Sequence, residues 1–152
     1  MPSDSNRRKI LYTVGYEGRS LYEFISCLKS SKIDLVLDVR EAPVSRKKGF
    51  SKSALKAELE SNGIGYIHMR ELGNPYEMRQ KLYENRDYEI SYRSFNAYLD
   101  NKRSHLEQAC SIILSATCCL MCYERLPERC HRSIVAHKIA ECSKEEITIV
   151  NL

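Results

Sequence analysis

The stretch Leu35-Val36-Leu37-Asp38-Val39-Arg40-Glu41-Ala42-Pro43 sets the reading of the whole chain. Its apolar part is continuous rather than alternating, which suits a strand covered on both faces, and it breaks at once into the polar loop REAPVSRKKGF. Strands of that kind belong to parallel sheets, so the flanking sequence is expected to alternate between strand and helix.

It does so in both directions. Upstream, Ile10 to Val14 is a short β-branched run closed by Gly15, a first strand. Ser20-Leu21-Tyr22-Glu23 is a capping box, and Leu21, Phe24, Ile25 and Leu28 recur at helical spacing, predicting a helix to about Ser31. Downstream, Ala54, Leu55 and Leu59 share a helical face before Asn62-Gly63, and Tyr66 to Met69 makes a third strand. Between Leu72 and Ala116 the pattern is helical: Asn74-Pro75-Tyr76-Glu77 reads as an N-cap with proline at the first position, and Ser104 to Glu107 as another capping box. Cys118 to Tyr123 reads as a fourth strand, residues 129–142 as a helix with Ile134, Val135 and Ile139 inward, and Ile147 to Val150 as a last strand. The expectation is a single α/β domain over 9–152, with a mostly parallel Rossmann-like sheet and helices on both faces, after a flexible segment at 1–8.

Composition agrees. A chain of 152 residues supports one core without staples, and 43% hydrophobic with 29% charged residues is a globular profile. No apolar run nears the roughly 20 residues a membrane helix needs, and MPSDSNRRKI carries no apolar leader core, so a cytoplasmic protein with no membrane partner is expected. Seven cysteines is an odd number, and Cys27, Cys110, Cys118 and Cys119 fall in apolar runs, which argues against a disulfide framework. The net charge of +4 is modest, but Arg40, Arg46, Lys47, Lys48 and Lys52 cluster and favour an anionic partner, a small molecule or a nucleic acid.

Ligands of open parallel sheets bind beyond the carboxyl ends of the strands, and here polar loops follow four of them. The first, Gly15-Tyr16-Glu17-Gly18-Arg19, offers backbone N–H groups before a capped helix but matches neither the phosphate-loop nor the dinucleotide fingerprint. The second sets Arg40, Ser45 and Arg46 on a loop stiffened by Pro43, with Asp38 placed to orient an arginine or act as a base. The third begins at His68, a base or ligand if it faces the site and a structural histidine otherwise. The fourth, Cys122-Tyr123-Glu124-Arg125-Leu126-Pro127-Glu128-Arg129-Cys130-His131-Arg132, is the densest, and positive potential there is expected to lower a thiol pKa.

Adjacency aims the Cys130 and His131 side chains differently, and His131 also shares a helical face with Val135, Ile139 and Cys142, the signature of a packing residue. On a strand Cys119 and Cys122 face opposite sides, so that pair does not chelate. Cys122, Cys130 and His131, with or without His68, are able to gather in space, yet no second paired motif accompanies them, and a metal ranks below a metal-free thiol or anion site. Tyr83, Tyr88, Tyr92 and Tyr98 are assigned to packing of the helical segment.

The segments TVGYEGRS (13–20), LDVREAPVSRKKGFSK (37–52), GIGYIHMRELGN (63–74) and LMCYERLPERCHRSIVAH (120–137) together resemble the domain-of-unknown-function family numbered 488, small bacterial and archaeal proteins. The resemblance implies an α/β fold and directs attention to Tyr16, Glu17, Arg40, Ser45, Arg46, His68, Cys122, Glu124, Cys130, His131 and Arg132. It supplies no reaction. Asp38-Val39-Arg40-Glu41 also looks like the matching strand of rhodanese-like sulfurtransferases, but the cysteine loop here is longer, lacks glycine and holds two cysteines. Nor does Cys122 open a Cys-x5-Arg phosphatase loop, since Glu128 stands where the arginine belongs.

The leading expectation is an enzyme acting on a phosphorylated substrate such as a nucleotide or nucleic acid. In it Arg40, Arg46 and Arg132 hold the anion with Tyr16, Glu17 and Ser45 on the rim, while His68, Glu124, Cys122, Cys130 or His131 does proton transfer or nucleophilic work. The alternatives are a non-catalytic nucleic-acid-binding module and a thiol or metal sensor. No cofactor is specified by any motif.

Overall fold

The computed structural model describes residues 8–152, so the expected flexible segment at 1–8 lies outside the described residues except for Arg8. The elements are β1 (Lys9–Gly15), α1 (Leu21–Ser30), β2 (Leu35–Asp38), α2 (Lys52–Ser61), β3 (Gly65–His68), α3 (Tyr76–Asn85), α4 (Tyr88–Asp100), α5 (Arg103–Ser115), β4 (Cys118–Cys122), α6 (Arg132–Cys142) and β5 (Ile147–Asn151). Short 3-10 turns cover Arg70–Leu72 and Pro127–Arg129.

The strands form one sheet in the order β3-β2-β4-β1-β5, every neighbouring pair parallel. This is the α/β, Rossmann-like architecture expected from the continuous apolar runs. β4 is central and all five of its residues are buried, which is why Cys118-Cys119-Leu120-Met121-Cys122 shows no polar alternation. Its side chains alternate between two cores. Cys118, Leu120 and Cys122 pack with Phe95 and Leu99 of α4, Ile113 of α5 and Val135 and Ile139 of α6. Cys119 and Met121 pack on the other face with Phe24 and Leu28 of α1 and Leu55 and Leu59 of α2.

That division positions the site. β1 and β4 are neighbours, yet the chain leaves β1 toward α1 on one face and leaves β4 toward α6 on the other. Connections that part to opposite faces open a crevice at the strand ends between them.

The local signals were met unevenly. Ser20 caps α1 as expected: its Oγ accepts from the Glu23 N–H at 3.0 Å, and its own N–H donates to Glu23 Oε2 at 3.0 Å. That box occupies the N–H groups of Ser20 and Glu23 at the α1 N-terminus. The two other expected caps are corrected. Pro75 itself stands at the N-cap of α3, and α5 starts at Arg103 behind Lys102, neither with a side-chain cap bond. α6 starts at Arg132, not 129, because Pro127 opens a separate turn and Cys130 is extended. Among the described residues no helix is long and apolar enough to cross a membrane, and all seven cysteines are free.

Candidate active site

A cavity of about 740 Å³ opens at the carboxyl ends of β1, β2 and β4. Its floor is built where β4 ends. Cys122 closes the strand, and eight residues later the backbone passes from extended at Cys130 (φ −123°, ψ 135°) to helical at His131 (φ −60°, ψ −20°). This change between consecutive residues turns both side chains the same way, so the expectation that adjacency aims them apart fails. The Cys122 and Cys130 sulfurs and a His131 ring nitrogen all lie within 4.8 Å of one another.

The cluster is tightly oriented. His131 Nε2 lies 2.8 Å from the carbonyl of Val39, which only accepts, so this nitrogen carries a proton, and Cys122 Sγ stands 3.6 Å from Nδ1 and 3.8 Å from Nε2. Phe95 meets the imidazole edge to face at 5.3 Å. The Cys122 thiol donates to Glu124 Oε2 at 3.8 Å. Its hydrogen bond to Cys130, with burial added, pushes Cys122 well up. Burial also opposes ionisation of Cys130, but hydrogen bonds from Cys122 and His131 and the nearby positive charge outweigh it and hold this thiol well below its ordinary range. Burial, then the charge of Cys130, push the Glu124 carboxyl up to about 7.

Cys122, Glu124 and His131 face the cavity, whereas Cys130 lies behind them, 1% exposed. Tyr16, Glu17, Arg40, Ser45 and Arg46 also line it, as the loop reading expected. Tyr16 stacks on Phe50 at 4.5 Å, and Glu17 Oε1 accepts from the Arg125 N–H at 3.2 Å, tying the loop after β1 to the loop after β4. Ser45 Oγ accepts from the Lys47 N–H at 3.1 Å and shapes the basic turn.

Four expected roles are corrected. Arg132 does not reach the cavity: it is fully buried, with Nε donating to Thr13 Oγ1 at 3.2 Å, Nη1 to the Glu124 carbonyl and Nη2 to the Arg125 carbonyl at 3.2 Å. It braces the loop that carries the floor. Arg40 lines the cavity, but its guanidinium is committed to the protein. Nε and Nη2 donate to the Asp38 carboxylate at 2.9 and 2.7 Å, and Nη1 donates to the Phe50 carbonyl at 2.7 Å and to Tyr16 Oη at 3.3 Å. Asp38 is fully buried and also accepts from Tyr66 Oη at 2.5 Å, so it orients Arg40 and does not act as a base. His68 sits outside the cavity on the edge strand, its Nε2 held 2.7 Å from the Arg40 carbonyl.

The tyrosines are the residues that pattern missed. Tyr83, Tyr88 and Tyr92 line the cavity with Tyr16 and Tyr123, while Tyr98 stays against the core beside Phe95. Tyr88, Tyr92, Phe95 and Leu99 form one stripe along α4, but only Phe95 and Leu99 of it are fully covered. The first half of the stripe overhangs the cavity. At the mouth, Arg79 pairs with Glu41 at 2.9 Å and Lys47 Nζ donates to the Tyr16 carbonyl at 3.2 Å. Arg46 and Arg129 are exposed and have no side-chain partner among the described residues.

The family model described as "Domain of unknown function DUF488" matches residues 20–139, most of the chain and all of the floor. Comparison with curated proteins and with solved structures finds no match. Three of the four resembling segments, 37–52, 63–74 and 120–137, lie wholly inside that match, and the chain belongs to the DUF488 family.

Proposed function

We propose that the protein is an enzyme acting on a phosphorylated, ring-bearing substrate, a nucleotide or a nucleotide unit of a nucleic acid. One observation carries this reading: tyrosine walls, a cationic mouth and a floor of Cys122, Glu124 and His131 belong to a single cavity. Its volume of about 740 Å³ suits a nucleotide-sized ligand. Tyr83, Tyr88, Tyr92 and Tyr123 offer aromatic faces for a base, with a stacking contribution tolerant of base identity. Arg46 and Arg129 at the mouth supply the forked donors that phosphate oxygens take. Free thiols at the floor suit the reducing, cytoplasmic setting expected from the sequence.

Binding comes first in testing it. Equilibrium titrations would compare nucleoside monophosphates, the corresponding nucleosides and short single strands. The expected result is tighter binding of the phosphorylated members, weakened by Arg46→Ala and Arg129→Ala. Equal affinity for nucleosides and their phosphates, or no effect of either change, overturns the reading. Turnover of a bound member that survives Arg46→Ala at saturating substrate but is lost in Glu124→Gln marks an enzyme; binding without turnover marks the non-catalytic module.

A further inference from the structure

The floor is also a donor set. Two cysteine sulfurs and one imidazole nitrogen form a ligand set known for zinc, and they converge here from three separate positions: the end of β4, the turn before α6 and the α6 N-cap. Tetrahedral zinc with bonds of about 2.0–2.3 Å sets its ligand atoms roughly 3.5–3.8 Å apart. Cys122 Sγ and His131 Nδ1 stand 3.6 Å apart already.

The surroundings match as well. A metal-ligating histidine normally donates its second ring N–H to a carbonyl or carboxylate, which fixes the ring and presents the other nitrogen. His131 does this through Nε2 to Val39, which leaves Nδ1 as the nitrogen for a metal, 3.6 Å from Cys122 Sγ. Cys130, Cys122 and His131 are 1%, 5% and 9% exposed, so the pocket between them is nearly dry. Two thiolates neutralise a divalent cation there, which removes most of the cost of burying it.

We propose that Cys122, Cys130 and His131 bind one zinc ion at the cavity floor and leave its fourth position open toward the cavity. Cys119 belongs to the opposite core, and Glu124, whose Oε2 lies 3.8 Å from Cys122 Sγ on the cavity side, stands beside the three mutually close donors and not among them. Three protein ligands with an open position is the arrangement of catalytic zinc. Cys130 holds the ion from behind, while Cys122 and His131 leave their cavity side to substrate or water. The proposal stands on this cluster and does not depend on the substrate being a nucleotide.

The test uses the full chain, purified under reducing conditions and reconstituted separately with zinc and with cobalt. One zinc per chain by elemental analysis, and thiolate-to-cobalt absorption with tetrahedral bands in the cobalt form, are expected. Cys122→Ser and Cys130→Ser should reduce the metal to background, whereas Cys27→Ser and Cys142→Ser retain it. If the serine variants at the floor do not fold, the cobalt spectrum of the unaltered protein decides alone. Wild-type protein that takes up neither metal, or takes it up without thiolate-to-cobalt absorption, overturns the site. Zinc without nucleotide binding sinks only the substrate reading, and nucleotide binding by a protein that refuses both metals sinks only this one.

Discussion

Gly15 faces the backbone of Glu124 so closely that a β-carbon on it would stand 1.8 Å from the Glu124 carbonyl oxygen. The same carbonyl accepts from Arg132 Nη1, so the end of β1, the floor loop and α6 are locked at one point. The nearest atoms, Glu124 O and C and Arg125 Cα, are all backbone, so no flexible side chain is there to move aside.

Gly15→Ala should therefore be costly although alanine is small. The expected loss is about 3 kcal/mol or more, at the upper end of overpacking penalties, with disturbance centred on the floor loop. Urea unfolding midpoints measure it, and a change within experimental error would show that the loop yields.

Arg132 and Arg46 should separate cleanly by their effects. Arg132→Met strips donors from the Thr13 hydroxyl and two buried carbonyls and should cost about 3 kcal/mol of stability. Arg46→Ala, at an exposed position, should leave the unfolding midpoint nearly unchanged and weaken phosphate binding with a reduced salt dependence. The opposite pattern would reverse the roles assigned here.

Asp38→Asn should destabilise by about 3–5 kcal/mol, because it leaves the 5%-exposed Arg40 without its counter-charge. Adding Arg40→Met to that variant should recover part of the loss, the sign of a buried pair costlier to break than to replace. Denaturation of the two single variants and the double variant completes the cycle.

Tyr83→Ala and Tyr88→Ala should each weaken binding of a base-bearing ligand by about 1–3 kcal/mol while leaving stability nearly intact. Tyr83 is 71% and Tyr88 42% exposed, and neither belongs to a core cluster, so their removal opens no core cavity. Fluorescence titration with a mononucleotide checks it, and inorganic phosphate serves as the control whose affinity should not change.

The sheet was legible because its strands are continuous apolar runs: Leu35 to Val39 and Cys118 to Cys122 have to be covered on both faces, and both are. The same rule failed on α4, where Tyr88 and Tyr92 share a stripe with Phe95 and Leu99 but pass beyond the edge of the core. Periodicity tells which residues share a face and not how far that face is covered. Charge was equally blind to destination. Arg40, Arg46 and Arg132 read alike in sequence, yet one pairs with Asp38, one meets solvent and one braces carbonyl oxygens in the core. The meeting of Cys130 with His131 depends on a change of backbone conformation between adjacent residues, which no spacing rule encodes.

The helix that carries Tyr83 and Arg79 buries none of its own residues fully, and an ion pair from Arg79 to Glu41 helps hold it in place. The floor, by contrast, hangs on the most deeply packed strand in the molecule. Side-chain changes on α3 should therefore alter what the cavity admits at little cost to folding, whereas changes at the floor disturb the same packing that lets the protein fold.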